Sequence, residues 1–252
     1  MPRAICCVAL AALASLFGLA GPTPRGPQYA AALAPESPVV NAATPLSNTP
    51  ANTHADDAAI DEMLGDGSGQ RQHWTSVPEL AVLTSVMDYH AGEPNEYVAT
   101  DERLSAEATR SLVDDLTLGL RQLTNDTLAQ FAAIHYQSVP AGSRVTIVRP
   151  KQIVVGRYQG VRRLAHTIGF GGRQARRDGA IFGAAIVLDS EFDRTNDNRR
   201  LLRTHELGHA LGFNHVKSRV SIMNPRIGPE VTAFDRQVAM LAFPASISRP
   251  AQ

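Results

Sequence analysis

Cysteine is nearly absent from this chain of 252 residues: Cys6 and Cys7 are the only two, side by side near the start. Both lie in an apolar run, "AICCVALAALASLFGLA", that follows Arg3 and ends near the small-x-small stretch Gly18-Leu19-Ala20. That arrangement predicts an export signal over 1–20, with a signal anchor as the alternative. Once the signal is removed no cysteine remains, so the mature protein has no disulfides and depends on its core alone. The two cysteines also sit too early for a lipoprotein site. Lysine is scarce as well, since Lys151 and Lys217 are the only lysines among 24 basic residues. We read this as a compositional bias, and the local arginine groups, "RRDG" at 176 and "NRRLLR" at 198, as solvated faces. An excess of either charge is missing too: 24 basic residues balance 24 acidic ones, which argues against a nucleic-acid or anionic-membrane partner. No later run is apolar for long enough to cross a bilayer, so no stable membrane association is expected after cleavage.

What is present is globular composition, with 44% hydrophobic and 19% charged residues, enough for one good core and a tail. From 21 to 75 the chain is rich in Pro, Ala, Thr and Asn, with few large apolar residues, and is expected to be a disordered linker or prosegment. No internal repeat is visible. Ordered pattern begins near Val77, and a single domain is expected over 76–252. Between 105 and 134, Leu112, Leu116, Leu120, Leu123, Leu128 and Phe131 recur at nearly helical spacing, as one long helix or two abutting ones. Extended candidates follow: "RVTIV" at 144, "QIVVG" at 152, "RRLAHTI" at 162 and "IFGAAIVL" at 181. A helix is expected from about Arg199, and another from Thr232 to Phe243, opened by a capping box of Thr232 and Asp235. The order predicts an α+β domain.

The stretch "HELGHALGFNH" carries the chemistry. On a helix, His205 and His209 are four residues apart and share a face, so their rings can bind one metal ion. Glu206 stands beside them, placed to take a proton from water. Gly212 permits the left-handed turn that ends the helix and returns His215 to the same ion as third ligand. Three imidazoles with an open fourth position are what catalytic zinc uses. A chance histidine pair is the bland alternative, and the glutamate, glycine and third histidine at fixed offsets weigh against it. For His54, His73, His90 and His135, an ordinary surface or core role is expected.

The same stretch matches the metzincin pattern H-E-x-x-H-x-x-G-x-x-H in full, and the chain resembles that clan of zinc metalloproteases. "SIMNP", eight residues beyond His215 at its methionine, resembles the clan's Met-turn and places Met223 beneath the metal; core packing is its alternative. Within the clan the likeness is to matrixins, the matrix-metalloproteinase-like group, over roughly residues 80 to 243. It rests on "IMNP", on "FDRQVAMLAF" with Asp235 and Phe243, and on "RRLAHTIGFGG" followed by "GAAIVLDSEF". The resemblance implies a mixed, twisted sheet with a long backing helix, an active-site helix, the Met-turn and a C-terminal helix. It further implies that Leu164 and Ala165 pair main chain to main chain with an extended substrate, and that Pro225 to Ile227 wall the pocket for the residue after the cut.

Some features depart from the family. Val187 stands where a histidine of a second, structural zinc is expected and only His166 survives, so no structural zinc is expected and His166 is not taken as a ligand. Calcium is a candidate near Asp189, Glu191 and Asp193, with a solvated acidic loop as the alternative. Val216 after the third histidine matches none of the better-known signatures, and Pro225 excludes a tyrosine ligand. A cysteine switch is excluded once the signal is cleaved.

The resulting expectation is a secreted, monomeric zinc endopeptidase that cuts extended protein or peptide substrates with a zinc-activated water and Glu206 as general base. Two alternatives stay open: an inactive metzincin-like binding module, and a zinc hydrolase of a non-protein amide such as a cell-wall link.

Overall fold

The computed structural model describes residues 53–65, 70–90 and 96–243. The expected signal over 1–20, and the expected linker as far as 52, lie outside the described residues. In chain order the elements are α1 (Thr53–Leu64), β1 (Glu79–Leu83), β2 (Ser85–Asp88), β3 (Glu96–Arg103), α2 (Ala106–Leu123), β4 (Ile134–Gln137), β5 (Arg144–Thr146) and β6 (Gln152–Gln159). Then follow α3 (Val161–Ala165), β7 (Gly169–Ala175), β8 (Ile181–Asp189), α4 (Ser190–Thr195), α5 (Arg199–Leu211) and α6 (Ala233–Ala242). Among these, no helix is long and apolar enough to cross a membrane.

The strands form one mixed sheet, as the α+β expectation requires. β6 lies at its centre, parallel to β1 and β2 along one edge and to β8 along the other. β4 runs parallel to β1, β3 pairs antiparallel with β2 and β5 with β3. β7 is antiparallel to β8 and forms the far edge. The central strands read as unbroken apolar runs because both sheet faces are buried. Leu80, Val82, Ile153, Val155, Ile186 and Leu188 face the helices, while Ala81, Leu83, Val154, Ala185 and Val187 face a second cluster with Tyr97, Tyr158 and Phe170. Val187, fully buried there, is a packing residue.

α2 is the backing helix. Ser105 caps it by accepting from the Ala108 amide, and Leu112, Leu116, Leu120 and Leu123 form its buried stripe. The helical spacing predicted through residue 134 stops early, because Asn125 and Asp126 adopt positive φ of 47° and 60°. Leu128 and Phe131 still reach the core, from irregular chain.

Three expectations need correction. The segment read as linker over 21–75 contains α1, whose Ala59, Ile60, Met63 and Leu64 are buried in the main core together with Trp74. A domain starting at residue 76 would leave that part of the core without its packing partners. The arginine group at 198 is not wholly solvated, since Arg203 is buried and bonds Asp193 and Asp115. Finally, "RRLAHTI" is not a strand: α3 occupies Val161–Ala165, closed by the Leu164 amide donating to Gly160 O at 2.9 Å. Asp189 fixes this turn by accepting from the Arg162 amide while its other oxygen caps α4 at Phe192. The edge strand begins four residues after Ala165, at Gly169.

Candidate metal centre

α5 is buried continuously from Leu202 to Leu211, with α2 on one side and β7 and β8 on the other. Its His205 and His209 project together, and the chain turns at Gly212, whose φ is 120°. His215 then returns so that its Nε2 lies 3.2 Å from the Nε2 of His205 and 3.2 Å from that of His209. Among the described residues this trio is the one group of histidine, cysteine or carboxylate side chains gathered closely enough to hold a metal ion.

The tautomers follow from the partners. His205 Nδ1 lies 2.7 Å from Ile222 O and His209 Nδ1 lies 2.9 Å from Phe213 O. A carbonyl only accepts, so each Nδ1 carries the proton and each Nε2 directs a lone pair inward. Burial pushes His205 down to about 4 and His209 well below the ordinary imidazole range, while His215 is lowered by burial and by Lys217. Neutral rings with converging lone pairs at hydrogen-bond distance suit a shared cation. Glu206 adds a second sign of fit. Burial pushes its carboxyl up to about 8 against the pull of a hydrogen bond from the Gly171 backbone, and its Oε2 is buried with no hydrogen-bond partner. Such an orphan is unusual away from a functional site.

Met223 lies beneath the helix and is fully buried. A Cβ at position 208 would come within 2.3 Å of Met223 Sδ, so glycine there lets the turn approach α5. Met223 O accepts from the Val216 amide at 3.0 Å, which ties the turn to the residue after His215. Asp235 sits behind this arrangement. The capping box predicted for Thr232 and Asp235 is present, and the same carboxylate also accepts from Ser221 Oγ and, at 3.1 Å, from the Ile222 amide. Because Ile222 O accepts from His205 Nδ1, Asp235 reaches the first histidine through a single residue, Ile222.

The remaining predicted residues fall as follows. Pro225 and Ile227 line a pocket of about 580 Å³ next to the segment that follows His215. Leu164 and Ala165 are in α3, packed against the second core cluster, and not on an extended edge strand. The outermost strand on this side of the sheet is β7, which pairs with β8 alone among the described strands. Its close approach to α5 requires glycine at 171, where a Cβ would stand 2.1 Å from Glu206 O. Two of the calcium candidates have protein partners: Asp189 caps α4 and accepts from the Arg162 amide of α3, and Asp193 is buried between Arg157 and Arg203, while Glu191 is exposed. His166 is exposed at the end of α3.

Arg173 of β7 was not foreseen. It donates to His209 O at 2.9 Å, Phe213 O at 3.2 Å and Asn214 Oδ1 at 2.9 Å, binding the turn between the second and third histidines. No spacing rule marks this arginine, because its role depends on where a distant turn brings its carbonyls.

An α+β domain with a buried helix carrying this triad above a methionine turn is a metallopeptidase fold of the metzincin type. The family model for matrixins matches residues 90–238, more than half the chain, and the chain belongs to the matrixin family. Matrixins bind zinc, and the histidine triad that suits it is present. No curated protein matched the sequence.

Proposed function

We propose that the chain is an exported zinc endopeptidase that cleaves extended segments of protein substrates. The observation that carries this reading is the convergence of the three Nε2 atoms beside the unpartnered carboxylate oxygen of Glu206. His205, His209 and His215 would hold the ion. When bound, zinc supplies Lewis acidity, polarising a carbonyl and acidifying water near neutral pH. A cation held beside it would offset the burial that raises the Glu206 carboxyl, and the ionised Glu206 would remove a proton from the attacking water and hand it to the departing amine. Gly171 holds this carboxyl through its amide. The open edge of β7 offers backbone donors and acceptors to an extended peptide, in place of Leu164 and Ala165. Pro225 stands where the side chain after the cut would lodge. Export rests on the apolar run over 4–20.

The test is digestion of casein or a peptide library by the full chain, its Glu206→Ala variant and chelator-treated protein. Wild type should hold about one zinc per chain. Glu206→Ala should keep the metal and lose about 10²–10⁴-fold in rate. Digestion that survives the substitution would remove Glu206 from the chemistry, and protein that takes up no zinc would end the metal reading.

A further inference from the structure

α1 lies outside the residues matched by the family, yet it grips both sides of the third histidine. On the near side, the Asn214 amide donates to Met63 O at 2.8 Å, and its side-chain amide donates to Gly65 O. On the far side, Glu62 takes three donors from the two residues after Val216. Its Oε1 accepts from the Lys217 amide at 2.9 Å, while its Oε2 accepts from Ser218 Oγ at 2.7 Å and the Ser218 amide at 3.4 Å. Nearly two turns earlier, Asp56 Oδ1 accepts from Arg219 at 2.9 and 2.7 Å.

We propose that Glu62 is a positioning residue for the metal centre, a carboxylate clamp that fixes the turn carrying His215 before the ion arrives. This rests on the zinc reading above. His205 and His209 sit on a buried helix and need no such help. His215 is on irregular chain, and ordering each residue of such a segment costs about 1–2 kcal/mol of entropy. A turn already ordered spares the ion that loss, so the clamp should appear as metal affinity. The clamp carboxylate is ionised at neutral pH: burial raises its pKa, but hydrogen bonds from Ser218 and Lys217 outweigh this and leave it lowered.

The experiment compares full-length wild type, Glu62→Ala, Glu62→Gln and Asp61→Ala. Asp61 is on the same helix, but its exposed side chain pairs with Arg71 at 3.4 Å and not with the turn. Amide exchange at Lys217 and Ser218 is read in metal-free protein, and zinc affinity by chelator competition. Glu62→Ala should speed exchange at both amides at least tenfold and weaken zinc about 10-fold, the lower end for residues that orient ligands. Glu62→Gln, which keeps one acceptor, should fall between. Asp61→Ala should leave both readings unchanged, and its melting temperature gives the baseline for a purely structural loss. Exchange and affinity in Glu62→Ala equal to those of Asp61→Ala would overturn the proposal. Faster exchange with unchanged affinity would overturn it too, because the turn would then be loosened without consequence for the ion. If wild type binds no zinc, the metalloprotease reading fails separately, and exchange in the metal-free chain still decides whether Glu62 orders the turn.

Discussion

Two parts of the molecule build the same centre in different ways. From His205 to Met223 the groups facing the site lie within nineteen consecutive positions and follow from local geometry: two histidines one helical turn apart, a glycine turn, a returning histidine, a methionine underneath. The other part is dispersed. Met63, Gly65, Trp74 and Arg173 come from a helix, a loop and an edge strand, and each meets the motif through a backbone carbonyl or a side-chain amide. The groups that would do chemistry are contiguous, while those that hold them are not. A short motif can be carried by one helix and its turn, but the carbonyls and amides exposed where that helix ends need partners from elsewhere.

The strongest test of this contrast is a residue outside the motif that supports it directly. Asp235 caps α6 and supports the Met-turn, so Asp235→Ala removes a cap and leaves Ser221 Oγ and the Ile222 amide as buried donors without an acceptor. We expect a loss of about 3–5 kcal/mol in urea unfolding, together with weaker zinc binding because Ile222 O no longer holds the His205 ring in place. A loss below about 1 kcal/mol would mean the two roles are not coupled, since a cap alone is worth that much. Gly208→Ala acts next in size and inside the motif. The new methyl would press on Met223 Sδ, and overpacking of this kind costs about 1–3 kcal/mol. A variant as stable as wild type would show that the methionine turn shifts freely under α5, and that its placement there does not depend on glycine.

The same contrast explains what could be read from the sequence. The active-site helix, the cap at Thr232 and the strands β6 and β8 were legible because each obeys a period, a fixed offset or a continuous apolar run. The edge strand was misplaced for a physical reason. Gly169, Gly171 and Gly172 give β7 the composition of a turn, yet glycine is required where the strand crosses α5, whereas "RRLAHTI" begins in a helical turn held by Asp189. α1 was hidden because its apolar face is only Ala59, Ile60, Met63 and Leu64, too small to show a pattern without the core it completes. Asp193 and Arg203 looked like surface charges and are instead buried partners. Pairing of that kind depends on two elements meeting, which no local window contains.

The smallest expected effect isolates the dispersed part. α5 ends at Leu211, and its last carbonyls find specific donors: Gly208 O accepts from the Phe213 amide at 2.9 Å, and His209 O from Arg173. Ala210 O accepts from Trp74 Nε1 at 3.0 Å, a buried bond that spans 136 residues. Trp74→Phe keeps most of the ring's apolar packing and deletes this donor. The carbonyl then loses its tryptophan partner, a change worth about 1–2 kcal/mol. Because Ala210 lies on the helix rather than on the turn, zinc affinity should stay at the wild-type value while urea stability falls. Affinity that drops with stability would place Trp74 among the groups that position the histidines, and would extend the dispersed support from the His215 turn to the end of α5.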